Sequence, residues 1–318
     1  MALRLSSGVA WIAAVAALLL FVPPFAQEPP KQEPPKTEEP PKTAPEPPVC
    51  VKCHKEAWDG LAQTKHAVRG DARTPFGTGR DCQACHGDAT EHLKNPVKNP
   101  IPQRFGKQGP AEAQNQVCLT CHQAGGRIHW QGSMHATQDV TCTTCHQVHT
   151  AHDRVRNKLE EADVCFTCHK DQRTQINRPY RHPIREGIIT CSDCHNPHGT
   201  VGPAMAKRDT ITDTCYVCHM EKRGPFVRNH PPVQENCAIC HNPHGSTNPG
   251  MLRVRQPYLC QECHEPTSHR GTVPGNVFGS GTGTNRAVVL ARGCTNCHTN
   301  IHGSNNPSDP ANTRGFRR

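Results

Sequence analysis

The longest run of apolar residues in this chain lies at one end. Val9 to Phe21 is an unbroken apolar stretch with Arg4 ahead of it. It is short for a bilayer span but has the length and flanks of a secretory signal peptide. Residues 1–26 are therefore expected to be one, cleaved after Ala26. Pro24 makes a poor cleavage context, and the alternative is an uncleaved anchor; both readings export the chain. Past that point no apolar run is long enough to cross a membrane, and no stretch alternates in the manner of a β-barrel strand. Gln27 to Val49 repeats Glu-Pro-Pro-Lys and its variants. Such a segment cannot build a core and is expected to be a polyproline-type tether, reaching roughly 65 Å at ~3.1 Å per residue. From Cys50 onward the pattern predicts short helical turns, among them Glu160 to Lys170 and Thr212 to Lys222. Pro and Gly punctuate the rest. Gly271 to Gly283 reads as a glycine-rich loop, and 305–318 as a tail carrying Arg314, Arg317 and Arg318. Mostly coil with short α-helices and little or no β-sheet is the expected fold class.

Composition makes the core a problem. Aromatic residues are 4% and the hydrophobic fraction of 34% counts the cysteines. From Cys50 to His302 the chain has about 25 residues per cysteine motif, too few to bury much apolar side chain of its own. Something other than side chains must fill the interior.

The cysteines supply the answer. They fall as Cys50-Cys53-His54, Cys82-Cys85-His86, Cys118-Cys121-His122, Cys142-Cys145-His146 and Cys165-Cys168-His169. Then come Cys191-Cys194-His195, Cys215-Cys218-His219, Cys237-Cys240-His241, Cys260-Cys263-His264 and Cys294-Cys297-His298. Each is C-x-x-C-H, the attachment signature of c-type haem. On a helical turn positions i, i+3 and i+4 share a face, so two thioethers and an axial imidazole can meet one porphyrin. Ten such motifs use all 20 cysteines and leave none for a disulfide or a nucleophile. A disulfide framework or a zinc ribbon would also place cysteines in pairs, but neither requires His after the second Cys every time. Ten covalent haems would form the core, and the haem-free chain is expected to be largely unfolded.

The histidines balance as well. Of 22, ten sit in the motifs. The others are His66, His92, His129, His135, His149, His152, His182, His198, His230, His244, His269 and His302. Past the expected cleavage site only Met134, Met205, Met220 and Met251 could compete as ligands. All-bis-His ligation is the economical assignment. After even-numbered motifs a spare His follows closely: His92, His149, His198, His244, His302. After the first, third, fifth and seventh it comes later: His66, His135, His182, His230; after the ninth it is His269. The repeat unit is thus a haem pair, present five times within 50–304. His129 and His152 fall outside this pattern and are expected to be surface or hydrogen-bonding imidazoles, although His152 could stand in for His149. Which distal His serves which motif stays open at this level.

Charge changes meaning once haem is counted. The polypeptide carries +9. A ferric bis-His haem with ionised propionates carries about −1, so ten bring about −10. The basic residues then neutralise propionates, and nucleic acid is not an expected partner.

The chain resembles the decahaem cytochromes of the MtrA and DmsE type. The resemblance covers Cys50 through Ser304. It rests on the ten motifs and on F-G-K-Q (Phe105 to Gln108), C-H-Q-V-H (Cys145 to His149) and C-S-D-C-H-N-P-H-G (Cys191 to Gly199). D-T-C-Y (Asp213 to Tyr216), E-K-R-G-P (Glu221 to Pro225), H-N-P-H-G-S from His241 and H-G-S-N from His302 extend it. It implies an elongated bis-His haem wire in the periplasm, seated in an outer-membrane β-barrel porin. Such a wire receives or delivers electrons through periplasmic or inner-membrane cytochromes and an outer-surface multihaem cytochrome. It also implies that the distal ligands are the spare histidines other than His129 and His152. A periplasmic multihaem reductase of the nitrite or hydroxylamine type is the competing reading. It would need an open iron, which nitrite reductases often mark with Lys in place of the motif His, and no such variant occurs here. A haem-storage protein would explain the motif count but not the paired ligands.

Overall fold

The computed structural model describes residues 47–107, 109–264, 293–296 and 298–306. The expected signal peptide, nearly all of the tether, the glycine-rich loop, most of the tail, His269 and Cys297 lie outside them.

All ten motifs build the same local structure. The His N–H donates to the carbonyl of the first Cys across 2.8–3.0 Å, closing one α-turn in every motif. What differs is the approach. The third, fifth, seventh and ninth motifs are entered from helices: Ala111–Leu119, Glu161–Cys165, Ile211–Tyr216 and Tyr258–Gln261. The second, fourth and sixth are one-turn helices on their own, Gln83–His86, Cys142–Cys145 and Cys191–Cys194. The first, eighth and tenth are 3-10 turns, Val49–Lys52, Cys237–Ile239 and Cys294–Asn296. Caps start the free-standing turns. Thr190 and Asp193 form a reciprocal capping box, and Asn236 accepts from the Ala238 N–H.

The short helical turns expected within 160–170 and 212–222 are present, and each pair is divided at the motif His. His169 (φ −82°, ψ 70°) and His219 (φ −101°, ψ 48°) leave the helical region, and new helices start at Lys170–Gln175 and Met220–Lys222. After His169 the Lys170 N–H turns back to the Cys168 carbonyl at 3.0 Å, so the axis is redirected once the imidazole is placed.

Polar latches join motifs in pairs. Asn115, in the helix before the third motif, donates to the Val140 carbonyl (3.0 Å) and accepts from the Cys142 N–H (2.8 Å) at the start of the fourth. Glu161, before the fifth, accepts from the Ser192 N–H (2.7 Å) and hydroxyl (3.0 Å) in the sixth. Thr212, before the seventh, donates to the Glu235 carbonyl (3.4 Å) and accepts from the Cys237 N–H (3.3 Å) of the eighth. Gln256, before the ninth, accepts from Thr295 in the tenth at 3.0 Å. Asn115, Glu161 and Thr212 are buried, and their partners satisfy them.

The two H-N-P-H-G segments fold alike. Asn196 donates to the Met205 carbonyl and Lys207 to the Cys194 carbonyl, both at 2.9 Å; Asn242 to Met251 and Arg253 to Cys240 repeat this at 2.8 and 2.9 Å. Among the described residues the β-pairing consists of isolated bridges, such as Tyr180 with Ser246 and Arg228 with Ser304. Among the described residues, buried side chains make a small apolar cluster of Phe166, Ile176 and Ile184, with Ala162 against it. No described helix is long and apolar enough to cross a membrane.

Candidate functional site

Nine motif histidines each face a second imidazole. The pairs are His54 with His92 (ring centroids 6.3 Å apart), His86 with His149 (5.9 Å), His122 with His66 (6.0 Å), His146 with His198 (6.1 Å) and His169 with His135 (6.1 Å). The series continues with His195 and His244 (6.1 Å), His219 and His182 (6.2 Å), His241 and His302 (6.1 Å), and His264 and His230 (6.1 Å). Two imidazoles bonded through nitrogen at about 2.0–2.1 Å to opposite sides of one metal ion have centroids about 6 Å apart. Aromatic packing alone can reach such distances, but it ties separation to tilt. Here the separation is constant while the interplanar angle runs from 9° to 83°. Free rotation about a common metal axis has that signature. His298 is described, but its expected partner His269 is not.

The pairing follows a rule. Motifs two, four, six and eight face imidazoles that follow motifs four, six, eight and ten. Motifs three, five, seven and nine face imidazoles that follow motifs one, three, five and seven. Even motifs are completed from downstream and odd ones from upstream, each by a segment two motifs away. At the start, His92 after the second motif closes onto His54 of the first. His149, not His152, stands opposite His86. The His152 Nε2 is held instead by Glu160 Oε1 at 2.7 Å. His129 pairs with no motif His among the described residues. Its backbone carbonyl abuts Gly199, whose φ is +104° and where a Cβ would lie 2.3 Å from that oxygen. Gly245, after His244, meets the Gln175 carbonyl in the same way, with φ +133°. These two glycines let the distal-ligand loops press against neighbouring backbone.

The outer ring nitrogens are also arranged. Nδ1–H donates to backbone carbonyls from His86 (Gln103, 3.1 Å), His92 (Asn99, 2.8 Å), His135 (Pro197, 2.8 Å) and His182 (Pro243, 2.8 Å). His195 (Ala204, 3.0 Å) and His241 (Gly250, 2.7 Å) do the same. His198 uses Asn196 Oδ1 at 3.2 Å and His146 uses Asp153 Oδ2 at 2.8 Å. A donor proton fixed on Nδ1 leaves the Nε2 lone pair for a metal. Burial lowers the pKa of His66, His149, His198, His230, His244 and His302, favouring the neutral, ligating form.

The thiols show how the motifs follow one another. First cysteines meet within the pairs. A hydrogen bond between Cys118 and Cys142 pushes the former up and holds the latter at about 7, and Cys215 and Cys237 do likewise, with Cys237 at about 6. Cys165 bonds to Cys191, and Cys50 and Cys294 stand beside Cys82 and Cys260. Second cysteines are neighbours between pairs: Cys85 with Cys121, Cys145 with Cys168, Cys194 with Cys218, and Cys240 with Cys263. Attachment sites one to ten therefore succeed one another in space in chain order, by alternating approaches.

These residues fit haem. One C-x-x-C-H face and one opposed imidazole recur at constant spacing. In addition, the Nε of Arg127, beside His122 and His198, is buried with no acceptor among the described residues, as a propionate partner would be. Sequence reasoning did not find the latches Asn115, Glu161 and Thr212 or the acceptor Asp153. The latches do carry a faint signal, a polar residue three or four places before the first Cys of an odd motif. Most Nδ1 acceptors are main-chain carbonyls and carry none.

Residues 182–224 and 230–269 match the doubled CXXCH motif family, and residues 82–162 match the family of cytochrome c-type proteins like NrfB. The multiheme cytochrome MtrA of Shewanella baltica (strain OS185) is 46% identical over 265 residues, 81% of this chain and 78% of that protein. The chain belongs to the MtrA family of multihaem cytochromes. It carries covalent haem c on its paired motifs and is an electron-transfer protein. The likeness to the cytochrome c-type protein NrfB of Escherichia coli O6:H1 (strain CFT073) is more distant, 30% over 135 residues, covering 40% of this chain and 68% of NrfB. The doubled-motif matches group motifs six with seven and eight with nine, the second-cysteine neighbours. The latches join the alternate partners, so each motif from the third to the ninth has one neighbour of each kind.

Proposed function

We propose that the chain is the haem-carrying member of an outer-membrane electron conduit, with ten bis-His haems inside a β-barrel porin. The observation that carries this reading is the succession of neighbouring attachment sites in chain order, nine of them with two imidazoles facing across one metal's width. Each bound haem supplies one ferric/ferrous couple. The chain's own residues do the rest. Cysteines tether, motif histidines bind one face, His66, His92, His135, His149, His182, His198, His230, His244, His269 and His302 bind the other, and the latches set spacing. Two imidazoles on every iron leave no position for substrate, which argues against the reductase alternative.

In this reading residues 1–26 export the chain and 27–49 tether it in the periplasm, where inner-membrane or periplasmic cytochromes meet the wire. Residues 50–304 form the decahaem domain, and an outer-surface multihaem cytochrome meets its far end. Resemblance to the MtrA family supports the porin. The polar array also needs a sheath to cross an apolar band about 25 Å tall. The same arrangement serves electron export to iron(III) or import from iron(II).

Proteoliposomes test this. The cytochrome reconstituted with its porin is expected to pass electrons from an internal dye to external iron(III). Equal transfer by the cytochrome with no porin would reject the sheathed wire.

A further inference from the structure

We propose that Asp153 lowers the reduction potential of the haem on the fourth motif, Cys142-Cys145-His146, and so makes the array uneven near its middle. The proposal rests on the ligation reading above. His146 donates Nδ1–H to Asp153 Oδ2 at 2.8 Å, while the other Nδ1 partners described above are carbonyl or amide oxygens. A comparable contact, His219 Nδ1 to Glu221 Oε1, is 3.7 Å long and Glu221 is 59% exposed. Asp153 is only 17% exposed. It is held on its other oxygen by the Gln147 N–H at 3.2 Å, and its main-chain carbonyl accepts from Arg156 at 2.9 Å. The negative charge is therefore fixed against this one attachment site.

An anionic acceptor draws the Nδ1 proton away from the ring and raises the basicity of Nε2. A more basic axial ligand favours the ferric over the ferrous ion, which lowers the potential; hydrogen bonding outside the ligand shell is one of the levers a protein has on haem. Arg127 lies on the His198 side of the same pair and opposes this. It is unchanged when Asp153 alone is altered, so a comparison of variants isolates the carboxylate. Asp153 acts through His146 and is a positioning residue.

Holoprotein with Asp153→Asn keeps the side-chain shape and an acceptor oxygen but loses the charge. In a redox titration followed by optical absorption and electron paramagnetic resonance, one of the ten one-electron couples is expected to rise by a tenfold or greater change in its equilibrium constant. For a one-electron couple tenfold is about 59 mV. The other couples, the haem content and the low-spin signals are expected to stay as in the parent, and Glu221→Gln is expected to move nothing. An unmoved or lowered couple in Asp153→Asn, an equal shift in Glu221→Gln, or loss of a low-spin haem in Asp153→Asn would overturn the proposal. The parent protein separates the two readings. High-spin ferric haem there would break the ligation scheme, whereas an all-low-spin parent with an unmoved Asp153→Asn couple removes only the role of Asp153.

Discussion

A single imidazole decides whether an iron in this chain is closed or open. His198 stands 6.1 Å from His146 and His244 stands 6.1 Å from His195, centroid to centroid. Replacing either by Ala is expected to create one high-spin haem, visible by electron paramagnetic resonance, and to slow electron passage. Replacing His129 or His152 is expected to leave every haem low-spin. A high-spin signal in either of those variants would reassign the ligands. The same spectra carry orientation. The His66–His122 planes are nearly perpendicular at 83° and the His146–His198 planes nearly parallel at 9°, so the former is expected to give the more axial low-spin signal.

At the scale of elements, the latches tie paired motifs together where an apolar core is scarce. Glu161 is 7% exposed and accepts two hydrogen bonds from Ser192. Its replacement by Ala removes both acceptors and leaves the Ser192 N–H without a partner, at a cost of about 1–3 kcal/mol. The holoprotein is expected to melt earlier by differential scanning calorimetry, and Gln at the same place, retaining one acceptor, is expected to lose less. An unchanged midpoint in the Ala variant would show that the haems alone hold the fifth and sixth motifs together.

At the scale of the whole molecule, the two-motif reach of the distal ligands laces the chain together. A protein ending at Arg253 keeps eight motifs and every described partner except His302, the partner of His241. It is expected to carry eight haems with one high-spin. Were each motif completed by the histidine that follows it directly, all eight would be low-spin, so a spin count separates the two schemes. The few buried apolar residues give a second expectation. Without haem attachment the chain should show no cooperative thermal transition by circular dichroism, because Phe166, Ile176 and Ile184 are too small a core to support one. A sharp transition would reveal a polypeptide core.

The sequence by itself determined the covalent chemistry: cysteine spacing on one helical turn is a local property, and Cys191-Ser192-Asp193-Cys194-His195 needs no distant residue to present two thiols for attachment and one imidazole for the iron on one face. It also determined the scarcity of core, and the pairing of motifs legible in the two H-N-P-H-G segments. The tertiary structure decided the rest, because each distal bond joins residues far apart in the chain. His86 meets His149 rather than the nearer His92, and His152 is withdrawn by Glu160. The helical turns expected within 160–170 are parted at His169, where the chain must turn once the imidazole is set. Acceptors such as the Pro197 and Pro243 carbonyls exist at every residue, so only the folded backbone could select them for His135 and His182.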